Sequence, residues 1–287
     1  MKLSLCTISF RHELVSFDEL MRLAQTSGFS GIELWSVHAA SLSRRLPFGG
    51  AGIAGDMRSR GLELPMISGY VKLLGDSDQF AATEREWEEM IARARLFGTD
   101  KLRIFAGDIA SASAGEREWA TVTRRLRQLA EAASRQGVRT VVETHPGSLA
   151  DCTASTLRVL EETEHPWLGI NLDFLHLWEA GDRPKEAYEA LKPWTVHYHC
   201  KNIGDRRFLN VFEPGNVYAP GGSREGMVPL AEGAVDYAEI IRMLAEEQKE
   251  AAVSLEWFGA DPVGYLSAEK DWIDSVLRST SAGRADF

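Results

Sequence analysis

Short apolar runs alternate with amphipathic segments along almost all of the 287 residues, and this alternation restricts the fold more than any other feature. Eight runs have strand character, over residues 2–8, 31–34, 63–67, 101–105, 139–143, 168–173, 195–199 and 252–256. Eight helical patterns alternate with them, over 17–26, 51–60, 82–97, 115–136, 153–162, 185–191, 237–247 and 262–278. Gly28, Gly61, Gly98 and Gly137 follow four of these patterns, where a helix ends readily in a left-handed residue. Eight βα units predict an α/β chain folded as a single (β/α)8 TIM barrel, with a doubly wound open sheet as the alternative. The barrel is expected over residues 1–278, with a flexible tail over 279–287.

One interval breaks the rhythm. Residues 200–235 form a long Gly/Pro-rich stretch between the seventh strand and its helix, and carry Tyr218 and Arg224. Loops of this length in a compact domain are either functional or disordered, and the aromatic residues here predict an ordered lid over a site.

Charge and composition exclude several partners. Asp and Glu number 42 against 32 Lys and Arg, a formal charge of -10, so the average surface repels phosphate backbones and anionic lipid. Nucleic acid is not an expected partner, and neither is a membrane, because no stretch approaches the ~20 apolar residues of a span. The three cysteines, Cys6, Cys152 and Cys200, form no C-x-x-C pair, and the N-terminus has no secretory apolar region. A cytoplasmic enzyme acting on a small molecule is expected, and a homo-oligomer is compatible with the sequence.

In a parallel barrel the active site is built where the strands end. The last four strands end in metal-ligand chemistry, at Glu143, Asp173, His199 and Glu256. A single acid behind a strand is ordinarily a helix cap or an ion-pair partner. Four ligands on successive strand ends form a hard, oxygen-rich set that suits Mn2+, Mg2+ or Co2+ better than structural zinc. Without a cation, the three carboxylates would repel one another.

Strand alternation sorts the neighbours. His145 shares its face with Glu143, and Lys201 and His197 share theirs with His199. Arg103 points inward from the fourth strand, either as a partner for a buried acid such as Glu33 or as an anchor for an anionic substrate. His176 stands three residues past Asp173, to contact substrate or to pack against Trp178. Arg11 and His12 are candidates to line the mouth, and Trp35, Trp178 and Trp257 for its apolar wall. Cys200 alternates away from His199 and is expected to pack.

The motifs Glu-Thr-His-Pro from Glu143, Asn-Leu-Asp-Phe-Leu-His from Asn171, His-Tyr-His-x-Lys-Asn from His197 and Ser-Leu-Glu-Trp-Phe-Gly from Ser254 resemble the xylose isomerase-like barrel superfamily. With Cys6 to His12, Gly31 to Trp35 and Val211 to Ala219, they resemble more narrowly the single-domain 3-dehydroshikimate dehydratases of petrobactin-type siderophore biosynthesis. The likeness covers nearly the whole chain. It implies metal-dependent loss of water from 3-dehydroshikimate to give protocatechuate through a metal-stabilised enolate. It also implies that Glu143, Asp173, His199 and Glu256 bind the metal and that His145 is the base. Tyr70, Arg103, His176, Lys201 and Tyr218 would line the substrate site, with Lys201 assisting catalysis.

The residues are consistent with this chemistry. A metal can polarise the ring ketone while a base removes an adjacent proton, and a neutral imidazole near its ordinary pKa of ~6.5 suits that work. Arg103 or Arg224 is the expected holder of the ring carboxylate. The alternative is a metal-dependent ketose isomerase or epimerase, which would use the same tetrad without expelling water. A DNA-repair endonuclease would need a basic face, and a barrel that only binds ligand would not need the full tetrad.

Overall fold

The fold follows from what the two faces of each strand carry. Leu5, Ile32, Leu102, Val142, Leu172 and Val253 are fully buried beneath helices. The residues between them point into the barrel, and many are polar: Ser4, Glu33, Arg103, Asn171, His197 and Ser254 are all buried. Parallel strands covered by helices need one apolar face for that packing. Here the other face carries the chemistry.

The computed structural model describes residues 1–45 and 49–282. Eight parallel strands close into a barrel: β1 (Lys2–Cys6), β2 (Gly31–Trp35), β3 (Ile67–Ser68), β4 (Lys101–Ile104), β5 (Arg139–Glu143), β6 (Leu168–Asp173), β7 (Thr195–Cys200) and β8 (Ala252–Leu255). They stand in chain order, and β8 returns to pair with β1 through Ser254 and Ser4. Closure excludes the open sheet.

Four elements differ from expectation. The third strand shrinks to Ile67–Ser68, with Glu63 held only in an isolated bridge to Gly31. Pro65 lies between these points and has no N–H for the ladder. Helices at Ser36–Arg45 and Phe174–Ala180 were not foreseen, and each starts directly after a strand. The last helix runs Pro262–Ala282, so the expected tail begins inside it, and residues 283–287 lie outside those described. No described helix is long and apolar enough to cross a membrane.

The stretch after β7 is built. Asn202–Ile203 and Met227–Val228 form a two-stranded antiparallel ribbon, with 3-10 turns at Arg206–Phe212 and Leu230–Glu232 and a short helix at Pro214–Val217. The Asn202 amide closes its base, donating to Leu230 O and Val235 O at 2.9 Å each and accepting from Val235 N at 3.2 Å. Gly233 packs so closely here that a Cβ would meet Asn202 Cγ at 2.0 Å, so any side chain would displace this clamp.

Candidate active site

Register brings the four strand ends to one level, since Asp173 and Ser254 are both paired with His199 and Glu143 with Asn171. One ligand atom from each of Glu143, Asp173, His199 and Glu256 lies within 4.8 Å of the others, and all four residues are buried. His199 Nδ1 is 3.3 Å from Glu143 Oε1 and 3.5 Å from Glu256 Oε1. Asp173 has two tasks: its Oδ1 caps the helix Phe174–Ala180, accepting from Leu175 N at 3.0 Å, and its Oδ2 faces inward. The helix-capping role of a lone acid and a place in the cluster therefore coexist on one side chain.

Two cations serve the carboxylates. Lys201 Nζ donates to Glu256 Oε2 at 2.8 Å and also to Asp173 Oδ2. Arg103 Nε is 2.8 Å from Glu143 Oε2, an ionic contact whose N–H direction does not make a hydrogen bond. Burial alone would raise the Glu143 carboxyl, but Arg103 and His199 outweigh it and hold the group well below its ordinary range. Burial likewise opposes the charge on Lys201, and Asp173 and Glu256 reverse that effect. Arg103 thus finds its buried acid in Glu143.

Glu33 lies one layer deeper. Its Oε2 is 3.0 Å from His199 Nε2 and 3.1 Å from His197 Nε2, and its Oε1 accepts from Ser68 Oγ. A carboxylate accepts only, so it keeps a proton on Nε2, and Nδ1 is the nitrogen that would turn a lone pair to a cation. Without one, burial is outweighed by Glu256, Glu33 and Glu143, which hold the ring's proton affinity well above the ordinary range. The residues fit a divalent cation: three carboxylates and an oriented imidazole converge, and buried Glu143 Oε2 has no hydrogen-bond partner.

Above the tetrad is a cavity of about 540 Å3. His145, His176, Arg103, Lys201, Tyr70 and Tyr218 all line it, with Glu143 and Glu256 at its floor. His145 Nδ1 donates to Pro146 O at 2.7 Å, which leaves the lone pair on Nε2. Burial, with His176 beside it, pushes the ring down to about 3, so the ordinary imidazole value expected from sequence does not hold here. His176 packs at 4.6 Å from His145 between ring centroids and donates Nδ1–H to Glu179 Oε2 at 2.9 Å. Trp178 instead lies under Arg206.

Other candidates fall elsewhere. Trp35 lines the cavity, but Trp257 stacks on Tyr265 at 3.7 Å, and the apolar wall is completed by Phe105, Phe212 and Phe258. Arg224 spends its donors on the backbone oxygens of Asn216, Ala219 and Ser223 within the loop. Arg11 and His12 do not line the mouth; they bond the loop from behind. Cys200 is buried in the core. Sequence reasoning missed Glu179, whose three-residue spacing from His176 becomes meaningful only once both are known to lie on one helix.

The xylose isomerase-like TIM barrel family matches residues 21–279. A 3-dehydroshikimate dehydratase of Bacillus anthracis is 43% identical over 269 residues, covering 94% of this chain and 95% of the relative. A crystal structure from Bacillus anthracis, assigned as a 3-DHS dehydratase involved in petrobactin synthesis, superposes with a TM-score of 0.91 at 42% identity, over 94% of this chain and 98% of that one. A xylose isomerase-like TIM barrel protein of Mycobacterium smegmatis, in complex with magnesium, shares the fold at 18% identity with a TM-score of 0.68, covering 97% of each chain. The chain therefore belongs to the xylose isomerase-like TIM barrel family, in the branch that holds the Bacillus anthracis 3-dehydroshikimate dehydratase.

Proposed function

We propose that the chain is a hydro-lyase that converts 3-dehydroshikimate to protocatechuate and water, with Glu143, Asp173, His199 and Glu256 holding a divalent cation, Mn2+ or Mg2+, with Co2+ as a further candidate. The observation that carries this reading is the buried tetrad beneath a cavity lined by Arg103, Lys201 and His145, in a chain 43% identical to a dehydratase of that substrate. Arg103 and Lys201 offset two of the four buried carboxylates, Glu33 included, and a bound divalent cation would offset the other two, so the positive charge of the two side chains at the cavity is left to suit a carboxylated ring. This favours the dehydratase over a ketose isomerase or epimerase, whose neutral sugar gains nothing from that charge.

When bound, the cation supplies Lewis-acid polarisation of the ring ketone. His145 takes a ring proton at Nε2, its Nδ1 being committed to Pro146 O, and that proton departs with the hydroxyl beta to the ketone as water. Shift of a further ring proton to the ketone oxygen then gives the catechol. The low proton affinity of that imidazole reflects a buried setting beside His176, and an anionic substrate placed next to the ring raises it. Lys201, kept protonated by Asp173 and Glu256, faces the negative charge that develops on the substrate oxygen. Arg103 holds the ring carboxylate, with Tyr70, Tyr218 and His176 around the ring. The setting we favour is the cytoplasm, where Cys6, Cys152 and Cys200 stay free thiols. By analogy with the Bacillus anthracis relative, the product would feed siderophore synthesis.

Incubation of the metal-loaded protein with 3-dehydroshikimate, followed by ultraviolet absorbance, tests the reading. Appearance of the catechol supports it. Silence on this substrate with turnover of a ketose would replace it with the isomerase.

A further inference from the structure

Arg11 stands outside the cavity yet is bonded to three parts of its wall. Its Nε donates to Val217 O at 2.7 Å, its Nη2 to Phe258 O at 2.9 Å, and its Nη1 reaches Ile8 O at 3.5 Å. The guanidinium also lies 4.9 Å from the Phe258 ring centroid. Ile8 follows β1, Phe258 follows β8 and Val217 ends the short helix of the loop, and all three line the cavity. One side chain therefore ties two strand exits to the loop. His12 Nε2 approaches the same Val217 oxygen at 3.2 Å.

The residue after Val217 is Tyr218, which forms the roof. Its hydroxyl is 2.7 Å from the Tyr70 hydroxyl across the mouth, and its ring stacks on Trp35 at 5.9 Å with an interplanar angle of 11°. Among the described residues Arg11 makes no ion pair, so its partly buried charge is spent on carbonyl oxygens. Placing an arginine there without a carboxylate is costly, and what it secures is geometry.

We propose that Arg11 is a positioning residue for substrate binding, holding Val217 and Phe258 so that Tyr218 forms a fixed flat wall against the substrate ring. This rests on the dehydratase reading above. The Arg11 fork needs two separately placed carbonyls, and lysine can serve only part of that arrangement.

The test uses the metal-loaded enzyme with 3-dehydroshikimate and compares Arg11→Met, Arg11→Lys, Tyr218→Ala and the double variant Arg11→Met/Tyr218→Ala. Arg11→Met is expected to raise KM about tenfold while kcat falls no more than about threefold. Arg11→Lys should recover part of the loss, and the double variant should have the KM of Tyr218→Ala alone. An unchanged KM in Arg11→Met, additive KM effects, or a fall in kcat alone from fewer folded molecules would overturn the positioning role. Should Arg11→Met fold poorly, the same cycle is run with Arg11→Lys. Absence of wild-type turnover would remove the dehydratase reading itself, whereas wild-type turnover with an unaltered Arg11→Met variant removes only this inference.

Discussion

The two nitrogens of His199 face different carboxylates: Nε2 lies 3.0 Å from Glu33 Oε2, and Nδ1 lies 3.3 Å from Glu143 Oε1. Glu33 therefore fixes which nitrogen is free to ligate. Replacing it with Gln removes the charge and allows the amide to present the wrong atom. Glu33→Gln is expected to weaken metal affinity roughly 10–100-fold, with most turnover recovered at saturating metal. Titration of activity against free Mn2+ measures this, and an unchanged midpoint would mean that the ring is oriented by its packing alone.

His145 lines the cavity without belonging to the tetrad. His145→Ala should keep metal affinity and lose turnover by about 10²–10⁴, the usual contribution of a general base. Calorimetric metal binding alongside the absorbance assay separates the two effects. Lost metal with turnover intact at saturation would remove its role as base.

Arg103 is the ionic partner of buried Glu143. Arg103→Ala should raise KM for the carboxylated substrate. It should also destabilise the metal-free protein by about 3–5 kcal/mol, since it strands a buried carboxylate. A bound cation compensates that charge, so the loss in Tm should shrink when Mn2+ is present. Thermal unfolding with and without metal checks this, and an equal loss in both states would show that Glu143 is not a ligand.

Glu269, on the last helix, accepts from Leu230 N at 3.1 Å beneath the loop, and burial pushes its carboxyl up to about 7. Between the ordinary carboxyl range near 4.3 and this value the folded chain holds more protons than the unfolded one, so stability falls as pH rises through that window. Glu269→Gln keeps an acceptor for Leu230 and removes the titration. It should flatten the profile and gain on the order of 2 kcal/mol at pH 8 relative to pH 5. Denaturant unfolding at the two pH values measures it, and parallel profiles for the variant and wild type would contradict the assignment.

The convergence of Glu143, Asp173, His199 and Glu256 was legible because each stands at or just past the end of a strand pattern, and β5 and β6 run over the residues their patterns predict. What escaped depends on contacts across the barrel. Glu33 meets His197 and His199 across 164 and 166 residues of sequence, a distance over which no local pattern carries information. The helix Phe174–Ala180 is hidden in the sequence because it starts at the residue after Asp173, with no linker to separate it from the strand. The third strand is shorter than its apolar run suggests because Pro65 lies within that run. Trp257 looked like a wall of the site by position, yet its indole turns to Tyr265 and donates to Ala260 O at 2.7 Å.

On the proposed reading, Glu143, Asp173, His199 and Glu256 hold the cation on which dehydration depends. The most direct test strips the protein with chelator, restores Mn2+ or Mg2+ in increments and follows protocatechuate formation from 3-dehydroshikimate. Activity should be absent without metal, return in proportion up to about one cation per chain, and require far more metal in Glu256→Gln. Full activity in the stripped protein, or a Glu256→Gln variant that responds to metal as the wild type does, would contradict it.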